Sequence, residues 1–297
     1  MSELMTRRSA LALAAGSALL RAQQPTRLLF GFSLYGMKTL PWRDGIDYVA
    51  QLGYKATELC LRPGWNTEPK RLTKSDRAEI RKRIGDRGLA LPSVMENMGL
   101  GRPDGLKGNT ERLKAAAEVC VECSPGAPAL IETTVGGRVG TWDQISSAMA
   151  EELGGLAKTL EQLKITLAIK AHSKTAMNLP EQLLWLADQA KSPWVKVVYD
   201  YSHFQANSLD MKKTMEQVAP RAVFVHIKDT EGTAPNHKFL LPGDGHIDYR
   251  NYVKTLTGVG YRGPVLVEVS VDVYDAPGYD PRAAAKHVWE KVSPAFA

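Results

Sequence analysis

The sequence predicts a single α/β domain whose eight parallel strands close into a (β/α)8 barrel. Three observations lead there. The chain alternates eight times between a short apolar run and a helical segment, and strands alternating with helices imply a parallel sheet. Eight such pairs imply closure, and the 297 residues suit one barrel, which needs about 250. No G-x-G-x-x-G follows the first strand, which counts against the open, doubly wound dinucleotide fold. No linker or low-complexity tract divides the chain, so residues 23–297 read as one domain.

In order, Leu28 to Ser33 is the first strand, and Pro41 to Leu52 a helix with proline at its start. Tyr54 to Leu61 is the second strand and contains Glu58. Thr73-Lys74-Ser75-Asp76 opens the next helix as an N-cap, and Gly88 closes it. Leu89 to Val94 is the third strand, followed by a Gly- and Asn-rich loop and a helix from Thr110 to Glu122. Ala129 to Thr133 is the fourth strand and carries Glu132. Its helix runs from Trp142 to about Leu163, with Gly154-Gly155 as a potential break. Ile165 to Lys170 and Leu179 to Ala190 make the fifth pair, with Pro180 at N1. The β-branched run Val195 to Tyr199 is the sixth strand, ahead of a helix from Leu209 to Val218. The seventh strand ends at His226 before a helix from Asp248 to Leu256. The eighth ends at Glu268 before a helix from Pro281 to Val292.

Residues 1–22 stand apart. Arg7-Arg8 precedes the apolar run Ala10 to Leu20, and Arg21-Ala22-Gln23 follows it. A basic stretch, an apolar stretch and a small residue make an export signal, and the arginine pair is twin-arginine-like. The expectation is a periplasmic or exported protein that begins near Gln23 and has no membrane span in its mature chain. Losing three Arg and one Glu with the signal lowers the net charge from +6 to +4. That modest charge excludes nucleic acid as the expected partner. Cys120 and Cys123 have no second pair and no thioredoxin context, so they read as buried or partly buried thiols near a helix end, with a strained local disulfide as the alternative in an exported protein.

The chemistry of such a barrel sits at the C-terminal ends of its strands. Those ends collect Ser33, Glu58, Ser93 with Glu96, Glu132, Lys170 with His172, Asp200 with His203, His226 with Lys228, and Glu268. Three successive strands, the sixth to the eighth, each deliver an ionisable side chain at the tip, which points to a site.

The segments Gly53 to Glu58 (G-Y-K-A-T-E), Asp200 to His203 (D-Y-S-H), Val225 to Asp229 (V-H-I-K-D), Leu241 to Tyr249 (L-P-G-D-G-H-I-D-Y) and Val265 to Glu268 (V-L-V-E) resemble the xylose isomerase-like TIM barrels. More narrowly, they resemble the sugar phosphate isomerase/epimerase proteins, over roughly residues 28 to 292. The resemblance implies a divalent cation held by four residues, three of which match here: Asp200, His226 and Glu268. The fourth ligand would be a glutamate before the histidine of the fifth-strand motif, where this chain has Lys170 in L-A-I-K-A-H. The resemblance further implies that His203 touches substrate and that Glu58 and Glu132 face the same bowl.

Moving or inverting a centre beside a sugar carbonyl requires removal of the α proton. A carboxylate serves as base, and a cation or fixed donor stabilises the enediolate. Glu268 is the expected base. Asp/His/Glu ligation suits Mn, Co, Zn or Mg without choosing among them. At about 4 Å a divalent ion and an ammonium repel by roughly 8 kcal/mol at an effective dielectric of 20. Either the lysine is neutral or turned away, or the metal is absent and Lys170 takes its electrophilic role.

His172, Lys228 and Trp65 complete the expected substrate-binding set. Trp65 is read as stacking on a sugar ring, against the alternative of covering the barrel, and His172 stands against a structural imidazole. His237 and His246 are expected to be exposed in a loop. The expected partner is a small carbohydrate, free or glycosidic, with homo-oligomerisation left open. A keto-sugar lyase or hydratase and a non-catalytic periplasmic sugar-binding protein are the alternatives. The abasic-site endonuclease branch is disfavoured by Met95 and by Asn236-His237-Lys238, which stand where zinc ligands would be wanted.

Overall fold

The computed structural model describes residues 28–102 and 105–297, so the export signal read at residues 1–22 lies outside the described residues. The barrel strands are β1 (Leu29–Ser33), β2 (Ala56–Cys60), β3 (Ala90–Met95), β4 (Leu130–Thr134), β5 (Leu167–Lys170), β6 (Val195–Asp200), β7 (Ala222–Ile227) and β10 (Pro264–Val267). All eight pair in parallel and close in the order β1-β10-β7-β6-β5-β4-β3-β2. The fold expectation holds. Two short strands, β8 (Asp229–Glu231) and β9 (Lys238–Leu240), form an antiparallel hairpin after β7, where the sequence pattern predicts only a loop.

The crossover helices are α1 (Trp42–Leu52), α2 (Lys74–Asp86), α3 (Gly105–Cys123), α4 (Trp142–Leu163), α5 (Pro180–Gln189), α7 (Met211–Val218), α8 (Tyr249–Gly258) and α10 (Pro281–Val292). Short helices α6 (Tyr201–Ala206) and α9 (Val271–Tyr274) follow β6 and β10 directly. Thr73 caps α2 through a reciprocal box with Asp76. Helix α4 runs unbroken through Gly154-Gly155 because its apolar face, including Met149, Leu153, Leu156 and Leu160, is buried. Cys120 and Cys123 are free, buried thiols at the end of α3.

Two apolar layers hold the barrel. The outer one packs helices on strands; Phe30, for example, lies on Phe296 at 4.2 Å and against Tyr54 at 5.1 Å. The inner one fills the barrel interior with Ala56, Ala168, Val198, Phe224 and Leu266. Where β1 meets β2, a side chain at Gly31 would lie 2.5 Å from the Ala56 carbonyl oxygen, so only glycine lets the strands close there. No helix among the described residues is long and apolar enough to cross a membrane.

Candidate active site

Side chains alternate in and out along a strand, so two residues past each inner-layer position the next inward side chain appears. Those residues are Glu58 after Ala56, Lys170 after Ala168, Asp200 after Val198, His226 after Phe224 and Glu268 after Leu266. Ser33, Ser93 and Glu132 join them from β1, β3 and β4. The result is a buried charged layer directly above an apolar one.

Lys170 sits at its centre, 1% exposed. Its Nζ donates to Glu268 Oε2 at 2.7 Å and lies 3.0 Å from Glu132 Oε1, 3.0 Å from His226 Nδ1 and 3.9 Å from Asp200 Oδ2. Lys228 Nζ donates to Asp200 Oδ2 at 2.5 Å and to Glu268 Oε2 at 3.0 Å. His226 bridges two glutamates, with Nε2 3.1 Å from Glu58 Oε2 and Nδ1 3.1 Å from Glu268 Oε2. Glu58 also accepts from Ser33 Oγ at 2.6 Å and Ser93 Oγ at 2.7 Å. Asp200 is the N-cap of α6, its Oδ1 accepting from the backbone N–H and the Oγ of Ser202. Glu268 is the most exposed of the four carboxylates, at 8%.

The electrostatics follow from this geometry. Burial pushes Glu268 up, but Lys170, Lys228 and His226 hold its carboxyl well below the usual range. Burial opposes charge on Lys170, yet Glu132, Glu268 and Asp200 keep its ammonium more firmly protonated than an ordinary lysine. Burial and Lys170 disfavour a charged His226; Glu58 and Glu268 outweigh them and raise it to about 9. At neutral pH His226 therefore donates to both glutamates and stands beside Lys170 as a second cation, rather than accepting from it. Glu58 is lowered despite burial, through His226 and the two serine hydroxyls. Glu132 is raised by burial, against the pull of Lys170 and His226. Its contact with Lys170 is close, yet neither Glu132 oxygen has a well-aligned hydrogen bond. Among the clustered carboxylates, Glu132 is thus held less firmly in its charged form than Glu58 and Glu268.

One side of the bowl is lined by imidazoles. His203 stacks on His172 at 4.1 Å, and Phe239 of β9 packs edge-on to His203 at 5.0 Å. Burial, then Lys228 and Lys170, lowers His172 to about 3; burial, Lys228, His172 and Lys170 likewise hold His203 well below the usual range. Both are neutral. His203 Nε2 lies 3.4 Å from Asp200 Oδ2, without a well-made hydrogen bond. The expectation that His237 is exposed is wrong: it is 6% exposed, 3.0 Å from Ser173 Oγ through Nε2. The β8–β9 hairpin, invisible as periodicity in two three-residue strands, folds it inward. His246 is exposed as expected.

Trp65 is not brought into the charged layer. It is 5% exposed, stacked on Tyr35 at 5.3 Å, and donates Nε1–H to the Tyr35 carbonyl. Asp229, whose motif helped carry the resemblance, serves the architecture. Its Oδ2 accepts from the Gly243 and Gly245 N–H groups at 2.8 and 2.9 Å. A side chain at Gly245 would lie 2.8 Å from the Asp229 Cβ, which explains the glycine in L-P-G-D-G. The hydroxyls of Ser33 and Ser93 were collected as strand ends, but their work on Glu58 was not legible from sequence.

Asp200, His226 and Glu268 can offer ligand atoms lying within 4.8 Å of one another, a set that could hold a metal ion. The donor types fit a divalent cation. The donor atoms themselves are engaged: Glu268 Oε2 and His226 Nδ1 face Lys170 Nζ, and Asp200 Oδ2 faces Lys228 Nζ. A metal would have to displace both ammonium groups, so the side chains as arranged do not accommodate it, and no catalytic step is derived through one.

Comparison with known proteins agrees with this architecture. L-ribulose-5-phosphate 3-epimerase UlaE from Escherichia coli is 28% identical over 147 residues, covering 48% of this chain and 50% of that protein. The match thus spans about half the length of the curated relatives. Among solved structures, the IOLI protein with a bound zinc atom superposes with a TM-score of 0.72 at 18% identity, covering 91% of this chain and 99% of that one. The 3-keto-D-glucoside 4-epimerase YcjR from E. coli gives 0.68 at 16% identity, covering 90% and 100%. The sequence model described as xylose isomerase-like TIM barrel matches residues 46–290, most of the length, and the chain belongs to that family.

Proposed function

We propose that the protein is a sugar isomerase or epimerase that removes the proton α to the carbonyl of a free or glycosidic keto-sugar, with Glu268 as base and Lys170 as electrophile. The observation that carries this is the pair of buried ammonium groups converging on one glutamate oxygen, Glu268 Oε2. A substrate carbonyl entering the bowl takes a hydrogen bond from Lys170 or Lys228. Glu268 then loses a donor, its basicity rises, and it faces the α proton of the sugar. The enediolate forms against fixed positive charge in a site closed to water, where such charge acts most strongly. His203 and His172, both neutral, bind sugar hydroxyls. The named activities of UlaE and YcjR support the sugar reading, and the export signal expected at residues 1–22 would favour sugars without phosphate.

Incorporation of solvent deuterium into a panel of keto-sugars tests this. Wild type should label the α carbon, and Glu268→Gln should lose about 10²–10⁴-fold. Binding without labelling in every sugar would leave only a sugar-binding protein. A second reading, elimination from or hydration of a keto-sugar, is favoured by one observation: of the four carboxylates only Glu268 reaches the mouth, so one face of the substrate meets a base. Product analysis separates the two, because elimination changes the mass of the sugar and epimerisation does not.

A further inference from the structure

Above Glu58 on β2, the same in-and-out alternation carries the chain through Cys60 to Arg62 at the rim. Arg62 is half-buried and its guanidinium is held on three sides. Nη1 donates to Tyr35 Oη at 2.8 Å, and Cζ lies 5.5 Å from the Tyr35 ring centre and 5.2 Å from that of Trp65. Tyr35 in turn meets Tyr274 through their hydroxyls at 3.3 Å. The Tyr35 N–H donates to Ser33 Oγ at 3.2 Å, and that hydroxyl donates to Glu58 of the charged layer at 2.6 Å.

Among the described residues Arg62 has no carboxylate in direct contact. It makes no ion pair among the described residues. The carboxylates in the neighbouring loops are taken: Glu96 pairs with Arg112, and Glu68 with Lys70, Arg71 and the Gly64 N–H. Its Nε and Nη2 edge, the edge that meets a carboxylate in two parallel hydrogen bonds, has no partner among the described residues. A cation fixed by stacked rings, without a carboxylate partner among the described residues and four residues beyond Glu58 on the same strand path, has the form of a recognition group.

We propose that Arg62, supported by Tyr35 and Trp65, binds the carboxylate of an acidic sugar, so that the substrate is a keto-sugar carrying a uronate-type acid group at the end away from Glu268. This rests on the sugar-enolising reading above and narrows it. Tyr35 and Tyr274 supply the amphipathic wall on which the sugar lies. Trp65 acts behind Tyr35, packing against it and sharing the guanidinium.

The test is titration calorimetry with D-glucuronate, D-galacturonate, the matching neutral sugars and D-glucose 6-phosphate, on wild type, Arg62→Gln and Arg62→Lys. Wild type should bind the uronates about 10- to 100-fold more tightly than the neutral sugars, the range expected for a charge-assisted pair. Arg62→Gln should abolish that preference, and Arg62→Lys should keep part of it. Equal affinity of wild type for uronates and neutral sugars, or a preference that survives in Arg62→Gln, overturns the proposal. Tighter binding of the sugar phosphate than of the uronates overturns the carboxylate assignment. Deuterium labelling of neutral keto-sugars without uronate preference would remove the subsite and leave the enolising site standing. Uronate binding through Arg62 without labelling of any keto-acid would do the reverse.

Discussion

Two layers of the barrel interior lie one strand-step apart and differ in everything but their backbone. The lower layer, Ala56, Ala168, Val198, Phe224 and Leu266, is apolar and closes the barrel. The upper layer, Glu58, Lys170, Asp200, His226 and Glu268, is charged and nearly as inaccessible to water. The same five strands supply both. The lower layer needs only volume, so its residue types are interchangeable within limits. The upper layer needs each charge matched, because an unpaired buried ion costs several kcal/mol. Lys170 is therefore neither a stray substitution nor a surface charge: with Lys228 and His226 it supplies the positive charge that the clustered carboxylates require.

The sharpest way to break this comparison uses two positions on one strand. Glu268→Gln should lower deuterium exchange about 10²–10⁴-fold while the protein stays folded. Leu266→Ala, two residues earlier, should cost about 2–5 kcal/mol of stability, seen in denaturant unfolding, and leave exchange per folded molecule largely intact. A large activity loss from Leu266→Ala in fully folded protein would dissolve the distinction between the layers.

Asp229→Asn gives a smaller effect. It removes the charge from two hydrogen bonds to the Gly243 and Gly245 amides and should cost about 1–3 kcal/mol. A Tm shift without change in sugar affinity would confirm that this motif residue serves the loop.

The smallest effect is in pH. The folded-state value of His226 is raised to about 9, above that of an unfolded histidine. Its stabilisation is thus complete below the unfolded value, near 6.5, and is lost as pH rises through about 9. Melting temperature should fall between pH 7 and pH 10, and His226→Asn should fall less over that interval. An equal decline in both proteins would place the loss elsewhere.

Much of this was legible in the sequence because strand ends in a barrel converge. The eight strands and the ends at Asp200, His226 and Glu268 followed from alternation and order alone. The partners at those ends did not, because pairing is set by the barrel's register and shear, which leave no local pattern. Lys228 could be expected near substrate, yet its hold on Asp200 depends on β6 lying beside β7 in register, Asp200 opposite His226. The burial of His237 depended on a hairpin of three-residue strands, too short for any periodicity. Trp65 looked like a sugar platform because it lies in a loop; its place behind Tyr35 follows from a contact 30 residues away in sequence.

In the proposed mechanism Lys170 does the work a metal would otherwise do. The direct measurement is solvent deuterium exchange into a responsive keto-sugar by chelator-treated protein, with its elemental content, for wild type and Lys170→Met. Wild type should retain exchange without stoichiometric metal, and Lys170→Met should be nearly inactive. Exchange lost on chelation and restored by Mn, Co, Zn or Mg, or a Lys170→Met protein that takes up metal and stays active, would contradict that mechanism.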